Sequence, residues 1–347
     1  MTTEEVLGRA FCGADFTPQN VSILIEDGII RRIRENPDPA DQWICPAFFN
    51  AHTHIADTVA TDTPVETHTL AELVAPPDGI KHRILRATSP EDLVRAMRDS
   101  MQYMARTGTA AFADFREGGV DGVALLRKAQ IPEICPVILG RDGGELAGDG
   151  LGLSSAKHAE RDADIVASAR KHGKYVAVHA GEAGTTDIEA AFALDPDCII
   201  HATHFTRDHI RTAAERGIPL VLCPRSNWIL GAADSASRPP VRAMLDAGCT
   251  LWLGTDNVMF VPPDMLAECS FLRTVYKTTP EETLRMATGG FSLLHQPGVI
   301  EEGACANLLC INPGTNAIWT QNPALTLIYR TPASSIRRIL FNLVKPE

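Results

Sequence analysis

Eight short apolar runs, spaced along the chain and interleaved with stretches of helical periodicity, restrict the fold of this sequence more than any other feature. They are Ala47 to His52, Thr109 to Phe115, Ile134 to Gly140, Gly150 to Leu153, Tyr175 to His179, Cys198 to His201, Pro219 to Cys223 and Thr250 to Thr255. Runs such as Val176 to Val178 have no polar face and suit strands covered on both sides. Between the runs, Pro90 to Thr107 and Ala156 to His172 repeat apolar residues at helical spacing: Leu93, Met97, Met101 and Met104 in the first, Ile165, Val166 and Ala169 in the second. A methionine row at i, i+4 and i+7 suits a helix packed on strands better than a ligand surface. Eight strands alternating with helices are what a (β/α)8 barrel requires, so an α/β fold, a distorted TIM barrel over residues 47–300, is expected. With 347 residues the chain has room for that barrel and a small appended module.

The two ends break the rhythm. "VSILIEDGIIRRIRE" alternates around Asp27-Gly28, a strong hairpin signal, and "GACANLLCIN" and "RRILFNLV" near the other end also read as strands. Segments 1–46 and 301–347 are therefore expected to pair as one small β-sandwich module. Hydrophobic residues make up 45% and charged residues 22%, a globular composition, and no apolar run approaches a membrane span. The amino terminus lacks a basic start followed by an apolar stretch, so no secretory signal is visible and a cytoplasmic location is expected. Nine cysteines without CxxC pairs, several in apolar runs (Cys135, Cys198, Cys223), read as reduced core thiols. The formal net charge of −11 argues against nucleic acid or anionic membranes as partners.

Barrel active sites form where strands end, and polar residues of one chemical kind recur there. His52 and His54 follow the first run, His179 ends the fifth, His201 the sixth, and Asp256 follows the eighth. In a strand of period two, His52 and His54 share a face. Each histidine alone reads equally well as a cap or a satisfied core residue; four of them with an aspartate at one barrel mouth favour a metal. Three imidazoles and a carboxylate suit Zn²⁺ with a position left for water, although Fe²⁺ or Mn²⁺ accept the same ligands. Such an ion brings the pKa of water from 15.7 towards about 7 and so supplies hydroxide as the nucleophile. Glu182, three residues after His179, is placed to carry a proton from that water to a ring nitrogen of an amino-heterocycle.

The residues "CPAFFNAHTHI", "VHAGE", "IIHATHFT", "VLCPRSN", "LGTDN" with "DMLAECSFL", and "TTPEETLRMATGGFSLL" running into "GVIEEGACANLLCIN" carry a resemblance across nearly the whole chain. The sequence resembles the amidohydrolase superfamily, in the aminohydrolase branch that includes guanine, cytosine and S-adenosylhomocysteine deaminases and related chlorohydrolases. The resemblance implies His52, His54, His179 and Asp256 as metal ligands and Glu182 as proton carrier. It further implies that His201 supports the attacking hydroxide and that Asp256 doubles as its base. Binuclear members carry a carboxylated lysine at the fourth strand; "DGLGLSS" has none and Lys157 lies beyond it, so one metal ion is expected. Leu153-Ser154 stands where the family often has Pro-His, which removes a substrate contact of the adenosine type. The tail after Pro323 is also shorter than a full terminal sandwich, leaving the module reduced or completed by a second subunit in a homo-oligomer.

Arg141, His204, Arg225 and Asn227, and the loop "APPDGIKHRI" with Lys81, His82 and Arg83, are the candidates for substrate contact at the mouth. The motif "HATH" leaves open whether His201 or His204 faces the metal. Trp228 suits stacking on a heterocycle or core packing equally. The expected activity is metal-dependent hydrolytic deamination of a small-molecule amino-heterocycle (purine, pyrimidine, pterin or nucleoside-like). Hydrolysis of a cyclic amide or N-acyl bond, or of a ring chloride, is the alternative, because a fold does not dictate its leaving group. A non-enzymatic metal-binding barrel would be expected to lack one of the ligands, the acid or the catalytic histidine, and all are present.

Overall fold

The turn at Asp27 and Gly28, where both residues take positive φ (48° and 77°), joins β2 (Thr17–Glu26) to β3 (Ile29–Glu35) as the alternation predicted. In the computed structural model, which describes residues 2–38, 41–156 and 159–342, β2 also pairs along its whole length with β1 (Thr3–Cys12). Val21, Ile23 and Ile25 point inward from β2, and the intervening residues face outward. Beyond β1 lies β4 (Trp43–Pro46), parallel to β1 and antiparallel to β13 (Leu308–Ile311), which pairs in turn with β14 (Ile336–Leu340). The two chain ends thus meet in one six-stranded sheet, ordered β14-β13-β4-β1-β2-β3.

A single residue, Ala47, separates β4 from the first barrel strand. The barrel strands are β5 (Phe48–Thr53), β6 (Thr109–Arg116), β7 (Cys135–Gly140), β8 (Gly150–Leu153), β9 (Tyr175–Ala180), β10 (Cys198–His201), β11 (Leu220–Leu222) and β12 (Leu251–Leu253). All neighbours run parallel and the eight follow chain order, with helices between most of them: an α/β barrel of the TIM type. The last two strands are shorter than expected. Pro219 has no N–H to give a ladder and Pro224 opens a helix, while Asp256 leaves extended geometry with φ 61°. Lys157 falls outside the described residues.

The seam between β12 and β5 is closed by side chains and loop backbone. Asn50 Nδ2 donates to Thr255 Oγ1 at 2.7 Å, and Thr255 N donates to Asn50 Oδ1 at 3.0 Å. Asp256 N donates to the His52 carbonyl at 2.8 Å, and a bridge pairs Thr53 with Asp256. Gly254 allows this approach, since a Cβ there would lie 2.8 Å from the backbone nitrogen of His52.

After β5 the chain makes a 3₁₀ turn (Ile55–Ala60), α1 (Leu70–Val74) and α2 (Ile80–Ala87), then α3 (Pro90–Arg106). Residues 75–84, expected as a loop, instead enter helix at Ile80, with Gly79 as its cap and His82 Nε2 donating to the Val74 carbonyl at 3.1 Å. Ser89 caps α3 by accepting from Asp92 N, and Pro90 occupies the first turn. Met97, Met101 and Met104 are buried against Phe112 and Leu126, the packing role their spacing predicted. The helix expected over 156–172 is formed over Ala159–Lys171. Among the described residues no helix is long and apolar enough to cross a membrane.

Candidate metal centre and its surroundings

Closure of the barrel brings the histidines of the first strand against the aspartate of the last. Asp256 Oδ1 lies 3.1 Å from His52 Nε2 and 3.7 Å from His54 Nε2, and His179 Nε2 lies 3.2 Å from His52 Nε2. The other atoms of these groups are held from behind. His179 Nδ1 donates to the Leu153 carbonyl at 2.8 Å, which leaves its Nε2 lone pair facing the centre. His54 Nδ1 is 3.1 Å from Glu117 Oε1, and Asp256 Oδ2 accepts from the Ser226 hydroxyl at 2.6 Å. His52 Nδ1 is buried with no partner among the described residues. His52 and His179 both rest edge-on against Phe115, with ring centroids 4.5 and 4.7 Å away.

His201, at the end of β10, has the unusual φ of 77° and is followed by Ala202 at 51°. Backbone in this region costs about 1–3 kcal/mol per residue and is found where a side chain must be aimed. Its Nδ1 is 3.0 Å from Asn227 Oδ1, and Asn227 Nδ2 donates to Thr203 Oγ1 at 2.9 Å, so Nε2 faces inward. That nitrogen lies 3.7 Å from Glu182 Oε2. The sets His52/His179/His201, His52/His54/Asp256 and Glu182/His201/Asp256 each have donor atoms within 4.8 Å of one another. His204 is half-buried and belongs to none of them; its backbone N–H donates to the Gly181 carbonyl. The structure thus brings His201, not His204, to the centre.

Electrostatics favours a cation there. Burial, with the neighbouring imidazoles adding to it, lowers the pKa of His52 and takes His179 well below the ordinary imidazole value. Burial followed by Lys81 brings His54 to about 3. Burial alone would raise Asp256, but the hydrogen bond to His52 and the adjacent imidazoles hold it well below the usual carboxylate range. The result is neutral rings and an ionised carboxylate, the protonation states a metal requires of its ligands. His54 Nε2 lies near an Asp256 carboxylate oxygen and His179 Nε2 lies near His52 Nε2, and a divalent cation satisfies such a set of acceptors. The donor set therefore fits a metal ion. Burial, reinforced by Asp256, pushes Glu182 upward against the pull of His201.

Sequence reasoning did not single out Ser226 or Glu117. Ser226 lies between two residues that were noted, Arg225 and Asn227, and Glu117 is the first residue beyond β6, where the same strand-end rule reaches it. The structure gives Arg225 and Asn227 internal partners. Arg225 Nε donates to buried Glu268 at 2.5 Å, and Arg225 Nη2 donates to the carbonyls of Pro262 and Asp264. Both polar atoms of Asn227 serve His201 and Thr203. Arg141, at the end of β7, contacts Glu117, and Lys81 on α2 is buried between Asp57 and Glu117 at 2.8 and 2.9 Å. Arg83 is exposed. Trp228 donates its Nε1–H to Tyr276 at 3.0 Å.

Comparison with known proteins agrees with this architecture. The Amidohydrolase family profile matches residues 43–141 and the Adenosine deaminase profile matches residues 129–293. A protein of Methanothermobacter thermautotrophicus, provisionally named an aminohydrolase, is 35% identical over 95% of this chain and 95% of its own. A 5-methylthioadenosine/S-adenosylhomocysteine deaminase of Haloquadratum walsbyi is 27% identical over 82% of this chain and 74% of its own. In structure, an atrazine chlorohydrolase of Arthrobacter aurescens TC1 complexed with zinc superposes with a TM-score of 0.80 over 99% of this chain and 94% of its own, at 18% identity, a likeness of fold. The chain belongs to the amidohydrolase superfamily, in its aminohydrolase branch, and is a hydrolase acting on carbon–nitrogen bonds.

Proposed function

We propose that the protein is a cytoplasmic, metal-dependent deaminase that hydrolyses the exocyclic C–N bond of an amino-substituted heterocycle and releases ammonia. The barrel, residues 47–300, carries the chemistry, and segments 1–46 and 301–347 form the small module. The observation that carries this reading is the juxtaposition of Glu182, His201 and Asp256, whose functional atoms lie within 4.8 Å of one another beside the other three proposed ligands. Two carboxyl groups with opposed tendencies, Glu182 raised and Asp256 well below its ordinary value, separate a proton holder from a proton acceptor.

His52, His54, His179 and Asp256 would hold one divalent ion, with zinc the best match to that donor set, and when bound it would supply a water whose pKa is lowered towards about 7. Asp256 then accepts a proton from the attacking water, oriented by the Ser226 hydroxyl on its far oxygen. His201, with Asn227 fixing Nδ1, offers Nε2 to the oxygen as the C–O bond forms. Glu182 delivers its proton to the adjacent ring nitrogen and the amino-bearing carbon becomes tetrahedral. Asp256 then passes the proton it took from water to the amino group, and the C–N bond breaks as ammonia leaves. The remaining hydroxyl returns its proton to Glu182 as the carbonyl forms. Arg141 and His204 are the proposed substrate contacts, with Arg225 and Asn227 supporting the loops around them. The named activity of the Haloquadratum relative supports deamination, and zinc in the chlorohydrolase structure supports that metal.

Ammonia release by the zinc-loaded protein across a panel of aminopurines, aminopyrimidines, aminopterins and their nucleosides tests the proposal, with Asp256→Asn as the blank. Release that the variant abolishes is expected. Silence across the panel with metal bound would sink it and redirect the search to cyclic amides and ring chlorides.

A further inference from the structure

Glu117 receives four donors from four parts of the chain. Its Oε1 lies 3.1 Å from His54 Nδ1 and 2.9 Å from Lys81 Nζ and also meets Arg141, while Oε2 accepts from Arg116 Nη2 at 2.7 Å. With three cations on it the carboxylate can only accept, so His54 Nδ1 must carry the proton and its Nε2 is left as a lone pair towards Asp256. Arg116 is itself fixed by Asp114 at 3.2 Å, and Asp114 accepts from the backbone N–H of Ile55 next to His54 at 2.7 Å. Asp57, Asp114 and Glu117 balance Lys81, Arg116 and Arg141 in charge, and five of these six side chains are at most 10% exposed. A balanced buried network of this size locks side chains into one arrangement.

Lys81 differs from the other donors in its origin. It comes from α2, part of a cap made by α1 and α2 whose apolar contacts form a small cluster of their own. Leu73, Val74, Ile80 and Ile84 pack there with Met259, Phe260 and Leu230, separate from the barrel core. A satellite of so few buried residues opens at low free energy compared with the barrel. Its buried polar tether to the rest of the site is Lys81, held between Asp57 and Glu117.

We propose that Glu117 is a positioning residue for the metal centre and that Lys81 couples cap docking to it, so that seating the cap and presenting His54 Nε2 are one event. The inference rests on the metal-centre reading given above. A carboxylate behind a ligating imidazole sets its tautomer and orientation, and loss of such a partner weakens metal binding by about 10–100-fold.

Chelator-competition titration of zinc is the test, on wild type, Glu117→Gln, Lys81→Met and Lys81→Arg. Glu117→Gln should weaken zinc by about 10–100-fold. Lys81→Met should weaken it by a smaller factor, and Lys81→Arg should recover part of the loss. Zinc should also protect residues 62–78 from protease in wild type and protect them less in Lys81→Met. Unchanged zinc affinity in folded variants overturns the proposal. Should the variants fail to fold, long-range ¹H–¹⁵N spectra of zinc-loaded wild type decide: His54 bound through Nε2 with Nδ1–H intact is expected, and binding through Nδ1 overturns it. A wild type that takes up neither zinc, iron(II) nor manganese removes the centre itself, and this inference with it.

Discussion

Asp256 and His52 face each other across the barrel seam, joined once through the backbone at 2.8 Å and once through side chains at 3.1 Å. Fold closure and assembly of the centre are therefore the same contact. Gly254 sits at this contact, where an added Cβ meets backbone that cannot move aside. Gly254→Ala should destabilise the protein by about 1–3 kcal/mol, the range for overpacking a well-filled site. It should weaken zinc binding in parallel, measured by urea unfolding and chelator competition on the same preparation.

Removing the metal should lower thermal stability without unfolding the protein at room temperature. At a free zinc concentration near 100 times the dissociation constant, binding contributes about 2.7 kcal/mol, or roughly 4 °C in Tm for a chain of this length. Differential scanning calorimetry before and after chelation, and again on re-adding zinc, checks the size and the reversibility.

Ser226→Ala deletes the hydroxyl that fixes Asp256 Oδ2 and touches no other part of the centre described above. A hydrogen bond to a charged group contributes about 1.5–3 kcal/mol. Turnover should fall by roughly 10-fold or more with metal content retained, read by steady-state kinetics alongside metal analysis.

Arg225→Met separates a loop-fixing role from a substrate contact. Glu268 is fully buried, and losing its cation should cost about 3–5 kcal/mol, the penalty for breaking a buried pair from one side. Stability should drop by that order in denaturant titrations while KM of the surviving folded enzyme stays near wild type. A raised KM with intact stability would place Arg225 on the substrate instead.

Glu282 carries a pH signature remote from the centre. The two hydrogen bonds from Arg242, together with the one from the Thr279 backbone N–H, hold its carboxyl below the ordinary glutamate value. A group depressed in the folded state stabilises at pH above its unfolded pKa, about 4.3, and that stabilisation is lost as pH falls through the folded value. Glu282→Gln should therefore cost about 0.5 kcal/mol at pH 7, and the gap from wild type should close as the pH is taken below about 4. Melting curves across pH 3–7 measure both limits.

The barrel was legible because its strands are apolar on both faces and its helices keep their period, so eight runs and their order came through with ends displaced by one or two residues. The ends moved where a local rule overrode the apolar run, as at Pro219 and at Asp256. His52, His54, His179, His201 and Asp256 were legible because barrel topology sends every strand end to one mouth. Glu117 and Ser226 were not, because the contacts that bring them to the centre are with residues distant in sequence: Lys81 and His54 for the first, Asp256 for the second. Arg225 stands at a strand end like a site residue, and its partner Glu268 is 43 residues further on, a pairing that periodicity does not display. The helix carrying Lys81 was hidden by "APPDG", whose turn residues end just where Ile80 begins it.

The position of β4 between β1 and β13 has a consequence for synthesis on the ribosome. One side of β4 can pair as soon as it emerges; the other waits for residues 308–311, after every barrel strand has been made. At about 5–20 residues per second that interval is on the order of tens of seconds. During it the nascent sheet keeps an open hydrogen-bonding edge beside the first barrel strand, and arrival of the last strands closes that edge.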